Sequence, residues 1–403
     1  MPIFRSIADG LREAKAADIS GLTFTELLGG ASSKSGVAVN ADQALRTTTV
    51  LACARVLANG IAQPPLQLYR DDGKAGKTVA TDHPYYQLLH RRPNDWMTSY
   101  EFRQTMMLHA VLGKGGFAYK NRVKGKVVEL LPLRSDCTVV KQGTDWTLTY
   151  EVSDSRGLIG TFGPQDLLRI RGMSWDGYTG LDIVALAREA IGLALATEET
   201  HARLHSNGVR PGGLLSVDAT LSPEARAKIK AALQEREGLG NAFKTLVLDK
   251  GADFKPFAVN GVDSQHIETR KFQIEEICRA MGVFPQMIGY ADKTATFASA
   301  EAFFQAHVTH SIQPWAENWD QALDRDLDLS KEGLFAKLDL RGLLRGDFKT
   351  RTEGYARALG SGGHQPWMTV DEVRDLEDLD PIAGGDVLPP PAGGQTGDKN
   401  AAS

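Results

Sequence analysis

The sequence has little that points to secretion, to a membrane or to metal binding. Only three of its 403 residues are cysteines, and Cys53, Cys137 and Cys278 lie far apart among apolar residues. This pattern predicts reduced core residues of a cytoplasmic product, since neither disulfide nor zinc spacing is present. The first residues are charged throughout, so we expect no signal peptide. No apolar run approaches the ~20 residues that a membrane-spanning helix needs, and we expect no membrane role.

An excess of positive charge is missing as well. The formal net charge is −4, so the surface as a whole is not built to hold nucleic acid by neutralising phosphates. We therefore expect any DNA that meets this protein to be held without a broad basic patch. The hydrophobic content of 42% is ordinary for a folded soluble protein, and the length suffices for two or three domains.

Motifs for catalysis and phosphate binding fail in detail. The stretch LGKGGF at residues 112–117 lacks the Gly-Lys-Ser/Thr ending of a phosphate loop and precedes a strand, which predicts a simple turn. Asp324, Asp326 and Asp328 begin like a calcium loop. However, the turn glycine is missing and Phe335 replaces the bidentate glutamate, so a solvated helix end is the better interpretation. No Gly-x-Ser-x-Gly elbow occurs, and no motif argues for an enzyme.

Two histidine pairs could be mistaken for metal ligands. His201 and His205 are one helical turn apart, and His307 and His310 flank Val308. No acidic or third ligand lies at a usable spacing. We expect both pairs on hydrated or subunit-facing helix sides, and we expect neither a metal nor a cofactor.

The first half of the chain predicts an α+β fold. After an arm at residues 1–40, a helix starts at Ala41 and stops at the Gln-Pro-Pro of residues 63–65, before a strand. Thr98 and Glu101 form a candidate capping box for a helix that runs to about Leu112. Between residues 116 and 171 the apolar period becomes two, which predicts short strands in one meandering sheet.

The second half predicts long helices around a compact insert. A helix at residues 180–208 precedes strands at 213–217, 244–248 and 253–259, with a helix opened by Ser222 between the first two. A second long helix has Asp263 as its predicted N-cap and Gly282 as its left-handed C-cap. A small polar loop leads to a third long helix, which should kink at Pro314. Beyond Asp380 the Pro- and Gly-rich composition predicts disorder.

The order of these segments resembles the portal protein family of long-tailed bacteriophages. The resemblance runs from about Thr47 to about Leu327, most of the chain. The stretches that carry it are TTTVLACARVLANGIAQPPLQLYR, HPYYQLLHRRPNDWMTSYEFRQTMM, GKGGFAY, KGKVVELLPL, NGVRPGGLLSV, ETRKFQIEEICRAMGVFPQMIG and IQPWAENWDQAL. No single block is diagnostic, but the ordered set is specific.

The resemblance implies a structural protein and not an enzyme. Portal subunits form a ring, usually dodecameric, at one capsid vertex, through which double-stranded DNA is packaged and ejected. The implied partners are the major capsid protein, the large terminase during packaging and the head-tail adaptor. The implied location is the virion, after assembly in the bacterial host cytoplasm. The short chain also permits a gene transfer agent. Two alternatives stay open: another head-tail connector ring, and a hydrolase with an unrecognised site.

The resemblance also divides the chain. The implied regions are an arm at 1–40, a wing at 41–179 and 301–366, stem helices at 180–208 and 261–284, a clip at 209–260, a channel loop at 285–300, a short helical crown at 367–380 and a disordered tail at 381–403. The residues expected to line the DNA channel are Tyr290, Asp292, Lys293, Thr294 and Thr296. Those expected to dock terminase and adaptor are Arg236, Glu237, Asn241 and Lys244.

Overall fold

The computed structural model describes residues 33–73, 76–154, 157–206, 213–217, 222–224, 227, 252–256, 262–290, 297–344, 348–377 and 379–390. Over these residues the protein is an α+β structure, as predicted. Its described strands form four small antiparallel sheets. The predicted strand at 244–248 and most of the predicted insert helix lie outside the described residues.

The first part of the described chain alternates helices with short strands. Its elements are α1 Ala41–Ala44, α2 Thr48–Ala62, β1 Leu66–Asp71, β2 Lys77–Val79, α3 Pro84–Tyr86, α4 Ser99–Leu112, β3 Gly116–Val123, β4 Lys126–Leu133, β5 Thr138–Gln142, β6 Leu148–Asp154, β7 Gly157–Phe162 and β8 Leu167–Ile170. α2 ends at Ala62, one residue before the two prolines, which cannot continue a helix. The predicted capping box of α4 is present, because Thr98 and Glu101 accept each other's backbone N–H groups.

The strands after α4 build two sheets where the sequence predicts one. One sheet has the order β4-β3-β8 and the other β5-β6-β7, so the expectation of a single meander is wrong. β8 follows β7 in the chain but pairs with β3, a contact between distant parts of the chain that alternation cannot reveal. Phe117, Tyr150 and Leu167 are buried together, and they join the two sheets through side chains instead of backbone hydrogen bonds.

The second part of the chain is mostly helical. Its elements are α5 Ile183–Leu186, α6 Arg188–Ser206, β9 Gly213–Val217, β10 Ala252–Pro256, α7 Val262–Met281, α8 Phe297–His307, α9 Gln313–Leu327, β11 Leu334–Leu338, α10 Phe348–Ala358 and α11 Val370–Leu376. The predicted helix at 180–208 is divided, because Ala187 leaves helical geometry with φ −87° and ψ 12°. α7 already begins at Val262, so Asp263 lies in its first turn, where a carboxylate also favours a helix, and does not cap it.

The third long helix is interrupted where the sequence predicts a kink. A π-helical turn at Val308–Ile312 separates α8 from α9, and Pro314 lies in the first turn of α9. Proline fits there because the first N–H groups of a helix have no intrahelical partner. π-helical turns inside helices are frequent at functional sites.

The main core lies between α2, α4, α9 and the β11-β1-β2 sheet. Trp319 of α9 is fully buried in it, with Leu57 of α2 and Met106 of α4. Cys53 of α2 and Cys278 of α7 meet in this core, with their Sγ atoms 3.7 Å apart. All three cysteines are free thiols, as predicted, although Cys137 is only partly buried. No helix in the described ranges is both long and apolar enough to cross a bilayer.

The end of the described chain differs from the predicted disorder. The carboxylate of Asp371 in α11 accepts the backbone N–H of Ile382 at 2.9 Å, and the N–H of Asp371 donates to the carbonyl of Gly385 at 2.9 Å. The first turn of α11 thus forms hydrogen bonds with the backbone of residues 382–385, and composition alone does not reveal such partners. Residues 391–403 lie outside the described ranges.

Candidate functional site

The two helices expected to form a stem pack against each other. Ile191 of α6 and Ile277 of α7 are buried in one apolar cluster, which also contains Val50 and Ala54 of α2. α7 has 20 residues, which corresponds to about 30 Å of helix. Phe272 on α7 remains 54% exposed, so only part of this helix surface is covered within one subunit.

The chain leaves α7 through a fixed turn. Gly282 ends the helix with φ +67°, the left-handed conformation that the sequence predicts and that glycine adopts without a Cβ penalty. Val283 is buried, and a 3-10 turn at Pro285–Ile288 follows. Gly289, with φ +81°, closes this turn before Tyr290.

Contacts with the C-terminal end of α8 hold the first base of the predicted channel loop, at residues 282–284. The hydroxyl of Ser311, in the π-helical turn after α8, donates to the carbonyl of Gly282 at 2.6 Å. The rings of Phe284 and His307 meet edge to face, with their centroids 6.4 Å apart. The end of α7 and the end of α8 are therefore tied together.

The predicted channel residues are only partly described. Tyr290 is half-buried at the end of the turn after α7. Asp292, Lys293, Thr294 and Thr296 lie outside the described residues, and so do the predicted docking residues Arg236, Glu237, Asn241 and Lys244. Of the insert, β9 and β10 are described, and they pair antiparallel from Gly213 opposite Pro256 to Val217 opposite Ala252. The predicted strands at 213–217 and 253–259 thus form a hairpin-like pair.

The aspartates that resemble a calcium loop have a structural role. The expectation of a solvated helix end is wrong for Asp326, whose side chain is only 1% exposed. Its carboxylate accepts hydrogen bonds from the backbone N–H of Arg169 at 2.8 Å and from the guanidinium of Arg169 at 2.5 Å. The guanidinium of Arg325 donates two more, both at 2.8 Å.

This cluster joins α9 to both sheets. Arg169 lies on β8 and also donates to the hydroxyl of Tyr150 on β6 at 2.9 Å, while Lys120 of β3 donates to the carbonyl of Asp326. Burial raises the pKa of Asp326, but the hydrogen bonds from Arg325 and Arg169 outweigh it and hold the pKa below its ordinary value. The sequence does carry a signal for this role, because Asp326 lies on the same helix face as the apolar residues of α9, directly before Leu327.

The other suspected motifs also resolve into structural roles. The stretch at 112–117 is the turn between α4 and β3, as predicted, and Gly116 lies there because a Cβ would come closer than 3.0 Å to the carbonyl of Met106. His307 is only 7% exposed within the subunit, so the expectation of a hydrated or subunit-facing helix side is wrong for it, and burial lowers its pKa. In the described part of the chain, no group of three metal-ligating side chains comes together.

Comparison with known proteins identifies the fold and the family. The family model described as phage portal protein matches residues 48–378. The portal protein of Enterobacteria phage HK97 is 28% identical over 356 residues, which cover 87% of this chain and 82% of the relative. The probable portal protein of Streptomyces phage phiC31 is 29% identical over 368 residues, 88% of this chain and 79% of the relative.

A solved structure has the same fold. A chain from the neck of a native gene transfer agent particle, computed with C12 symmetry, superimposes with a TM-score of 0.57. It shares 23% identity, and the match covers 84% of this chain and 93% of that one. This likeness supports the fold on its own, independently of the sequence match.

The class that these observations define is a structural subunit of a phage virion. The chain belongs to the phage portal protein family. It is accordingly a structural protein of the portal ring through which DNA is packaged and ejected, and not an enzyme. Portal proteins are found in the virion or in the neck of a gene transfer agent particle, where they form oligomeric rings.

Proposed function

We propose that twelve copies of this chain form the ring, with residues 285–300 projecting toward the DNA in its channel. The twelvefold count follows the symmetry of the gene transfer agent neck. The observation that carries the channel assignment is the pair of contacts from Ser311 to Gly282 and from His307 to Phe284. These contacts fix the point at which the segment leaves α7, and this supports one defined place for it on the ring wall.

The low charge of the chain suits sliding contact. With a net charge of −4 per subunit, the ring carries no overall excess of cations that would bind phosphates and stall the DNA. Lys293 alone gives one cation per subunit in the channel segment, and a ring repeats it twelve times. We propose that these lysines, with Thr294 and Thr296, contact the duplex loosely while the large terminase supplies the motor work.

The insert between α6 and α7 is the proposed docking module. We assign Arg236, Glu237, Asn241 and Lys244 to contacts with the large terminase during packaging and with the head-tail adaptor afterwards. The wing would contact the major capsid protein, and assembly would take place in the host cytoplasm. Reversing the charges of Arg236 and Lys244 should leave rings intact and reduce their co-sedimentation with terminase. Undiminished co-sedimentation would refute the docking assignment.

The channel assignment is tested by shortening the segment. Deleting residues 292–296 should leave annular particles visible by electron microscopy while it lowers the amount of DNA packaged or retained per particle. The matched control is Lys331→Ala, a surface lysine whose ammonium lies 2.6 Å from a carboxylate oxygen of Asp328, which should change neither quantity. Packaging equal to wild type in the deletion variant would refute the assignment.

A second candidate differs in the kind of particle that carries the ring and in the DNA that it packages. The likeness to a gene transfer agent neck also fits a ring that packages host DNA. Sequencing the DNA from purified particles separates the two possibilities. One discrete viral genome indicates a phage, and fragments of the whole host chromosome indicate a gene transfer agent.

A further inference from the structure

A loop beside α5 presents an unusually exposed apolar surface. Trp175 is 94% exposed, Met173 is 72% exposed and Leu186 on α5 is 67% exposed. We call residues 171–182 the Trp175 loop. Contiguous large apolar side chains at the surface mark interaction sites in soluble proteins, and tryptophan dominates the binding energy of many interfaces.

The Trp175 loop is held rigidly by its own hydrogen bonds. The backbone N–H groups of Tyr178 and Thr179 donate to the carboxylate of Asp176 at 2.9 and 2.6 Å. The hydroxyl of Ser174 donates to the carbonyl of Thr179 at 2.6 Å and accepts the N–H of Gly177 at 3.0 Å. A preorganised loop loses little conformational entropy when its tryptophan is buried by a partner.

A groove of suitable size lies on the outer face of α2. Its volume is about 390 Å³, which is within the range of pockets that enclose drug-sized ligands and is therefore ample for one indole ring. We call it the α2 groove. It is lined by Thr48, Thr49, Leu51, Ala52, Arg55, Ile274, Ile288, Gly289 and Tyr290. Leu51 is 49% exposed in the isolated subunit, so the groove offers apolar surface that the subunit itself does not cover.

The Trp175 loop and the α2 groove face different sides of the subunit. Val50 and Ala54 point from α2 into the cluster that contains Val184 of α5, the helix that directly follows the Trp175 loop. Leu51 and Arg55 follow these two residues by one position each, which turns them by about 100° around the helix axis. The face of α2 that carries Leu51 and Arg55 is thus turned by about 100° from the side on which α5 packs. A ring needs two such different surfaces, because each subunit contacts its neighbours head to tail.

We propose that Trp175 of each subunit inserts into the α2 groove of the next subunit in the ring. The inserted indole would cover Leu51, and Asp176 next to it would approach Arg55 in the groove, a pairing of opposite charges that favours the correct register. The groove also includes Tyr290 at the base of the proposed channel segment. Each neighbour would therefore support the channel segment of the subunit it contacts. This inference rests on the proposed ring.

Cysteine cross-linking tests the pairing directly. In rings carrying both Trp175→Cys and Leu51→Cys, oxidation should produce a ladder of covalent multimers on a non-reducing gel, and reduction should return them to monomers. Either substitution alone should give no ladder. The matched control pairs Leu51→Cys with Trp146→Cys, since Trp146 is also 80% exposed but lies in the turn between β5 and β6.

Substitution to alanine gives an independent readout. Trp175→Ala should increase, by a factor of about ten or more, the protein concentration at which half of the rings are dissociated. Trp146→Ala should leave this concentration unchanged. Rings that form normally but give no ladder from the Trp175→Cys and Leu51→Cys pair would overturn this inference and leave the ring intact as a proposal. If wild-type protein forms no ring at all, both proposals fail.

Discussion

The buried carboxylate of Asp326 allows a sharp test of what holds the subunit together. Asp326→Asn keeps the shape of the side chain and removes its charge, so the guanidinium groups of Arg169 and Arg325 lose their common anion. The side chains of Asp326 and Arg169 are 1% and 16% exposed, which places this pair among buried ion pairs. Arg325 is 46% exposed and can turn toward water, so its share of the loss is smaller.

The magnitude follows from the burial. Removing one partner of a buried pair typically costs 3–5 kcal/mol, because the remaining charge stays desolvated. We expect a loss of about 3 kcal/mol for Asp326→Asn at pH 7. Since the folded-state pKa of Asp326 is depressed, its contribution is fully present above its ordinary pKa and is lost as the pH falls through the folded value. The difference from wild type should therefore shrink below about pH 4.

Thermal and denaturant unfolding at matched protein concentration provide the assay. Asp328→Asn is the control. Asp328 lies two residues further on, is exposed, and adopts a left-handed conformation with φ +56° that asparagine tolerates. We expect no resolvable change for this control. If Asp326→Asn is as stable as Asp328→Asn at pH 7, the assignment of Asp326 as the link between α9 and the two sheets is refuted.

Three further predictions test the described fold. Burial raises the pKa of Asp320 to about 7, so the carboxylate binds a proton on folding and wild-type stability falls as the pH rises through this range. The free energy of unfolding of Asp320→Asn, measured relative to wild type, should therefore rise by on the order of 2 kcal/mol from pH 5 to pH 9. A stability difference that does not change with pH would contradict this. Gly116→Ala should lower the free energy of unfolding by roughly 1–3 kcal/mol, because its Cβ would meet the carbonyl of Met106. Gly354→Ala, on the open face of α10, should stabilise the protein by about 0.5–1 kcal/mol. Equal effects of the two substitutions would refute this prediction. Thr98→Ala should cost about 1 kcal/mol by removing the cap of α4, and Thr98→Ser should restore most of it in the same assay.

Local signals in the sequence predict the ends of several elements. The prolines after α2, the capping box of α4 and the glycine after α7 each act through the residues next to them. For the same reason Pro314 indicates where the third long helix is interrupted, although the π-helical turn there has no sequence signature of its own. These features depend on backbone chemistry within about one turn of helix.

Contacts between distant residues could not be predicted in this way. Asp326 and Arg169 are 157 positions apart, and Cys53 and Cys278 are 225 positions apart. Each residue in isolation looks like a surface charge or an ordinary core residue, and only the packing of α9 on β8, or of α2 on α7, brings the partners together. The Trp175 loop was missed for the same reason, because a single tryptophan in a polar loop does not reveal whether its own subunit covers it.

The mass and shape of the purified protein show whether this chain assembles into a ring. Twelve copies of a 43.7 kDa chain have a mass of about 524 kDa. Native mass measurement combined with electron microscopy should show a particle of this size with a central opening and twelvefold symmetry. A protein that stays a 43.7 kDa monomer under all assembly conditions, with no ring on particles, would contradict the account.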